Sequence, residues 1–181
     1  LWCLPLDTLQ YLDISSNCLS TTKFSGDYAN SKSLTNLTHL NLCDNNIRVL
    51  GSGLDRLLKL ETLLLANNEI RIAKNLEVMH ELQELDLENN NISKLMGLRS
   101  LSVNAKLQTL VLSGNPFAKT RMYRRTVASL MQSVQILDGD PLKYKNSAKR
   151  NEAASGVRTK RKKFMTATNA AGAEPSPYLS A

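Results

Sequence analysis

Apolar and polar residues follow one phrase of eleven positions that returns five times. Its cleanest copy is LQELDLENNNI, with apolar residues at Leu82, Leu85, Leu87 and Ile92 and an asparagine at Asn90. The other copies begin at Leu9, Leu37, Leu60 and Leu107 and carry Asn17, Asn45, Asn68 and Asn115 at the same place. Successive asparagines are 28, 23, 22 and 25 residues apart. The L-x-L step has a period of two, which predicts a short strand with both leucines on one side. Between phrases the period changes to three. Ile70, Ala73, Leu76, Met79 and Leu82 form one such run, and Ile92, Leu95, Leu98 and Leu101 another. That period suits a 3₁₀-like return. Strand out and helical turn back, repeated, predict a parallel sheet on the inside of a right-handed solenoid.

The frame L-x-x-L-x-L-x-x-N-x-L is that of a leucine-rich repeat. Asparagine forms neither strands nor helices well, yet its amide offers two donors and an acceptor. Five in register predict a ladder that satisfies backbone groups where the chain leaves each strand. The expected fold is therefore an α/β leucine-rich-repeat solenoid. Short parallel strands line its concave face, helical or 3₁₀ turns its convex face, and a helical cap closes the C-terminal end.

The two ends depart from the repeat. The first copy is followed by the insertion TTKFSGDYANSKS, whose Phe24 and Tyr28 are expected to pack on the convex face. After Asn115-Pro116-Phe117, the residues Tyr123, Val127, Leu130 and Met131 lie at helical spacing, with Arg121, Arg124 and Arg125 on other faces. This predicts an amphipathic helix that shields the last coil. Val134 and Leu137 restart the frame, and Asp138-Gly139 turns the chain out. The expected domain is 1–142, with its cap at about 116–142, followed by a basic, low-complexity tail at 143–181.

Charge sharpens that division. The formal net charge is +7, and the tail alone supplies it, with nine bases against Glu152 and Glu174. Its densest stretch is Arg158, Lys160, Arg161, Lys162 and Lys163. The tail suits nucleic-acid phosphates, an acidic polymer such as a tubulin tail, the chain's own acidic face, or a nuclear-import receptor. A merely solubilising role competes with these. Nucleic acid is expected to bind through the tail only. No run is long and apolar enough for a membrane span, and the opening LWCLPL is too short for a signal peptide. Three cysteines without a C-x-x-C pair point to a reducing, intracellular setting.

The repeat frame selects the candidate site. Its second, third, fifth, seventh and eighth positions face the inner surface. They hold six acids and no lysine or arginine, while the body as a whole is neutral. The expected partner-binding face comprises Tyr11, Asp13, His39, Asp44, Glu61, Leu64, Glu84, Asp86, Glu88 and Val111. A solvated polar face is the plainer reading. A docking surface for a basic or amphipathic helix is favoured, because concave solenoid faces are the usual binding surface. Catalytic chemistry finds no support. His39 and His80 sit in separate repeats, no Cys/His cluster has metal spacing, and Gly51-Ser52-Gly53 lacks the lysine of a phosphate loop. No catalytic residue, metal or cofactor is expected.

Asn115-Pro116, Tyr123-Arg124 and Leu137-Asp138-Gly139 resemble the C-terminal cap of the intracellular, 22-residue leucine-rich-repeat class. That class includes the leucine-rich light chain of outer-arm dynein and other axonemal proteins. It also includes a nuclear regulator of protein phosphatase 1 and the A-prime protein of a spliceosomal particle. The resemblance covers about residues 4–142 and departs at Gln132, where caps of the class usually carry proline. It implies a non-enzymatic scaffold or adaptor in a multi-subunit assembly. A ciliary, axonemal or cytoskeletal setting with a tubulin- or dynein-type partner is the leading expectation. The alternatives are a phosphatase-1 regulatory subunit and a spliceosomal-type ribonucleoprotein component in the nucleus, its basic tail on RNA.

Overall fold

A computed structural model describes residues 8–22 and 34–142. The expected packing of Phe24 and Tyr28, and the whole basic tail with Arg158, Lys160, Arg161, Lys162 and Lys163, lie outside the described residues. Each repeat contributes a three-residue strand: β1 Tyr11–Asp13, β2 His39–Asn41, β3 Thr62–Leu64, β4 Glu84–Asp86 and β5 Thr109–Val111. The cap adds helix α1 Tyr123–Leu130 and two short strands, β6 Ile136–Leu137 and β7 Asp140–Pro141. The strands form one sheet in chain order. β1 to β6 pair in parallel, and β7 folds back antiparallel on β6.

The register follows the repeat frame. Leu12, Leu40, Leu63, Leu85, Leu110 and Leu137 lie side by side across the sheet. From Leu40 onward every member of this row is buried, as are the flanking Leu42, Leu65, Leu87 and Leu112. Full burial of each such leucine contributes roughly 1.5–3 kcal/mol. The first coil is less covered, and Leu9, Leu12, Ile14 and Leu19 stay partly exposed.

On the return path the three-residue period has a direct cause. Leu57 N–H donates to the Leu54 carbonyl and Leu60 N–H to that of Leu57. Met79 to Leu76, Leu82 to Met79, and Leu107 to Asn104 repeat the step. These are 3₁₀-type bonds, which place residues three apart on the same side. Only the stretch Leu95–Val103 extends into a long 3₁₀ segment, and the returns after Asn45 and Asn115 hold single 3₁₀ turns at Ser52–Leu54 and Phe117–Lys119.

The asparagine ladder is present. Asn68 donates to the carbonyls of Leu65 (3.1 Å), Ala66 (3.1 Å) and, in the preceding coil, Leu42 (3.0 Å). Its Oδ1 accepts the Ile47 N–H of that coil at 3.0 Å. Asn45 and Asn90 repeat this pattern, and Asn115 does so with two carbonyls, Leu87 and Leu112; the three take the N–H of Leu19, Ile70 and Ile92. One more device precedes each rung. Ser16, Asp44, Asn67, Asn89 and Gly114, all at the eighth position of the frame, have positive φ. The left-handed turn keeps the chain pairing past the strand. Ser16, Asp44, Asn67 and Asn89 donate their N–H to Cys43, Ala66, Glu88 and Ser113 in the next coil.

At the far end, Asp138 takes over the role of a further coil. The N–H of Leu42, Leu65 and Leu87 each donates to a backbone carbonyl of the next strand. Leu112 and Ser113 N–H donate instead to the Asp138 carboxylate, at 2.8 and 3.0 Å. The Tyr123 hydroxyl donates to the other carboxylate oxygen at 2.8 Å. Burial, and then this acceptor, push the Tyr123 phenol far above its ordinary pKa. The predicted helix buries Tyr123, Val127 and Met131, while Leu130 is half-buried. Arg124 lies off the apolar face, as expected, and is half-buried. Its guanidinium donates to the Leu137 carbonyl at 3.0 Å and to those of Asp140 and Pro141 at 3.3 Å, which ties the helix to the last hairpin.

Four substitutions at three positions test this account. Leu85→Ala is expected to cost about 2–5 kcal/mol in chemical denaturation, because the flanking rows hold the cavity open. Asn68→Ala leaves buried backbone groups unpaired and is expected to cost roughly 1–3 kcal/mol. Asn68→Asp keeps the acceptor but turns an anion on three carbonyls, so it is expected to be no milder than alanine; a near-silent Asp would refute the ladder. Gly114→Ala meets both a φ of +75° and the Asn89 side-chain oxygen. A thermal midpoint lowered by several degrees is the expected reading.

Candidate partner-binding face

The sheet converts sequence positions into two straight rows on its open side. One row runs Tyr11, His39, Thr62, Glu84, Thr109 and Ile136. The other runs Asp13, Asn41, Leu64, Asp86 and Val111. Adjacent strands lie roughly 4.8 Å apart, so each row is a line of neighbouring side chains. Seven of the ten expected face residues fall in these rows, namely Tyr11, Asp13, His39, Leu64, Glu84, Asp86 and Val111. Glu88 lies just beyond, on the far side of β4. Glu61 precedes β3, where its carbonyl accepts the N–H of Gln83 and Glu84.

Asp44 is exposed and lies outside the two rows. It belongs to the row of left-handed turns (φ 54°), with its carboxylate accepting the Asn67 amide at 2.9 Å. Asn89 in turn donates to Asn67 Oδ1 at 2.9 Å. The eighth frame position reads Ser, Asp, Asn, Asn, Gly, which are the residue types that tolerate positive φ. That signal was available in the sequence and marks a turn.

The rows divide into two zones. At the β1–β2 end the Tyr11 and His39 rings stack at 4.1 Å between centroids, with 12° between planes. Tyr11 is 65% exposed and covers the imidazole, whose Nδ1 pairs with the Thr38 hydroxyl at 2.9 Å. Asp13 accepts the Ser15 hydroxyl at 2.6 Å, the Ser15 N–H at 2.9 Å and the Asn41 amide at 2.9 Å. The Ser15 bonds, with Asn41 after them, hold the Asp13 carboxyl below the usual carboxylate value. This aspartate already has its partners.

The second zone is centred on Asp86. It is half-buried, with Leu64 and Val111 on either side of it in the row. Burial raises its pKa above the ordinary 3.8, and the nearby charges of Glu88 and Glu84 raise it further. A single bond from the Glu88 N–H, at 2.8 Å, opposes them. Glu88 accepts the Ser113 hydroxyl at 2.9 Å, and Glu84 is exposed between Thr62 and Thr109. Three acids thus surround a strip with apolar flanks, and the carboxylate at its centre is incompletely solvated. A cation placed there meets an anion that water serves poorly. Cys43, in the neighbouring row, carries a thiol that burial pushes up, so it is a weak nucleophile. Among the described residues, no His, Cys, Asp and Glu group could hold a metal ion, and no helix is long and apolar enough to cross a membrane.

Comparison with known proteins agrees with this architecture. A leucine-rich-repeat family model matches residues 29–170, and a second matches 8–27. The U2 small nuclear ribonucleoprotein A′ of Mycosarcoma maydis is 38% identical over 115 residues, covering 61% of this chain and 45% of that protein. The leucine-rich repeat-containing protein 56 of Rattus norvegicus is 30% identical over 171 residues, covering 75% of this chain and 31% of its own length. A chain in the crystal structure of the Drosophila melanogaster SNF/U2A′ complex superposes with a TM-score of 0.64 at 30% identity, covering 87% of both chains. The chain spans about half the length of the A′ proteins it matches, or less. With a matching family model over most of its length, and five coils built on one asparagine ladder, the chain belongs to the leucine-rich-repeat family.

Proposed function

We propose that this chain is a docking subunit of a ribonucleoprotein assembly, holding a protein partner on the open face of its sheet. The observation that carries the reading is the Asp86 zone. Leu64 and Val111 supply apolar contact, and Glu84, Asp86 and Glu88 supply a matching charge for a basic or amphipathic helix. The setting is supported by likeness to A′ proteins of the U2 small nuclear ribonucleoprotein and to a chain crystallised in a complex with SNF. These relatives weigh for the nuclear ribonucleoprotein alternative over the ciliary and cytoskeletal one. Nothing in the two rows is particular to tubulin, to dynein or to a phosphatase.

The test is affinity capture from native extract with the full chain, against the same chain carrying Asp86→Lys and Glu88→Lys. Reversing charges at a desolvated contact costs roughly 2–5 kcal/mol, so capture of the direct partner is expected to fall at least about tenfold. Undiminished capture by the variant would exclude the Asp86 zone as the contact. Capture of a phosphatase catalytic subunit or of tubulin, in place of ribonucleoprotein proteins, would replace the assembly named here.

A pH dependence follows from the same carboxylate. A basic partner favours ionised Asp86, so the bound-state pKa lies below the raised free-state value. Affinity is then complete above the free-state value and declines as pH falls through it, beginning above the ordinary 3.8. Titration of the complex by calorimetry is expected to show proton release in that window, and Asp86→Asn to abolish it.

A further inference from the structure

The cap carries a second charged surface, opposite in sign to the open face. From Pro116 to Met131 the chain has four bases, Lys119, Arg121, Arg124 and Arg125, and no acid. Arg124 is occupied by the carbonyls of the last hairpin and by the Asp140 carboxylate at 3.7 Å. Lys119, Arg121 and Arg125 are exposed, and among the described residues none of them meets a carboxylate. Elsewhere, Arg48 and Lys106 sit against Glu69 and Glu81 of the neighbouring coil, while the exposed Lys74, Lys94 and Arg99 meet no carboxylate among the described residues but lie apart from one another in sequence. Arg125 also stands in the first turn of α1, where the helix dipole disfavours a cation. Met122, between the arginines, is 51% exposed. What sets this stretch apart is the density of bases with no acid among them, together with their exposure.

We infer that Lys119, Arg121 and Arg125 form a contact surface for the phosphate backbone of RNA. Arginine presents a rigid fork of donors that matches phosphate oxygens, and the two free arginines are four residues apart in sequence. The acidic rows confine an RNA strand to the cap, because Glu84, Asp86 and Glu88 repel phosphate. The chain would therefore hold protein on its sheet and RNA at its end. The choice of RNA among polyanions rests on the ribonucleoprotein reading above; the unpaired charge does not. This surface is separate from the tail, to which sequence alone assigns nucleic-acid binding.

The experiment measures binding of the full chain to a fluorescein-labelled oligouridylate across a salt series. Three phosphate contacts contribute roughly 2 to the slope of log affinity against log salt on a single strand. Lys119→Ala with Arg121→Ala and Arg125→Ala is expected to lower the slope by about that amount and to weaken binding at least about tenfold at low salt. The three side chains are exposed, so thermal unfolding should not move. Arg121→Lys with Arg125→Lys should keep the slope. A second background, Lys160, Arg161, Lys162 and Lys163 all changed to alanine, separates the cap from the tail, and the cap change must still lower the slope there. An unchanged slope in both backgrounds overturns the inference, as does polyglutamate competing as well as unlabelled RNA. RNA binding that ignores the cap change, while Asp86→Lys with Glu88→Lys still removes partner capture, is failure of this inference alone, and the reverse pair of results is failure of the docking proposal alone.

Discussion

The structure depends on the way each asparagine bridges two coils. A three-residue strand offers too few sheet bonds to fix a coil by itself, and the polypeptide must turn immediately after it. That turn buries carbonyls at two frame positions together with an amide of the coil before. One carboxamide answers all of them, as Asn68 and Asn90 do with three carbonyls and one N–H each. An unpaired buried backbone group costs about 1–3 kcal/mol, so omission of a single rung is a large loss for a marginally stable domain. The left-handed residue before each asparagine makes the bridge reachable, since it aims one further N–H at the next coil.

A ladder of this kind has two ends, and they differ. Asn17 lies at the first described coil, is exposed, and among the described residues bonds within its own turn, to the Ile14 and Ser15 carbonyls. The partial exposure of Leu12 and Ile14 belongs with it. At the opposite end the chain substitutes a carboxylate for a coil. Asp138 presents side-chain oxygen to the Leu112 and Ser113 N–H groups, and Tyr123 and Arg124 hold the aspartate and its hairpin in place. Stability in such repeats propagates between neighbours, so the closed end is the firmer anchor for the face beside it.

Most of the architecture was legible because the frame is redundant. Five copies of one phrase located every repeat strand to within a residue, and the period of three anticipated the 3₁₀ bonds of the returns. Legibility ended where the outcome depends on neighbours in space. Asp13 and Asp86 occupy equivalent frame positions, yet one is satisfied by Ser15 and Asn41 and the other is half-buried beside Leu64 and Val111. No pattern along the chain separates them, because the difference lies in the adjacent strands. Arg124 is similar: helical spacing sets it off the apolar face, but its partners sit on a hairpin more than a dozen residues later. Asp44 is different in kind, since its turn chemistry was written in the residue types and was read as surface.

The distribution of charge carries the argument furthest. The repeat body is neutral, so its acids and bases are present in equal number, yet the two strand rows exclude bases and the first part of the cap excludes acids. Random surface placement would mix them, and mixed signs are what favour solubility. Separation instead creates two fields of opposite sign on adjoining parts of one rigid element. It also carries an electrostatic cost: Glu88 and Glu84 add to the burial that chiefly raises the pKa of Asp86, and Arg121 and Arg125 of the cap meet no carboxylate among the described residues. A fold that leaves such charges unmet is at its most favourable when both are covered, one by a cation and one by an anion. The two proposals rest on this separation, one placing a cationic partner on the sheet face and the other an anion at the cap, with a single leucine-rich-repeat body to set the distance between them.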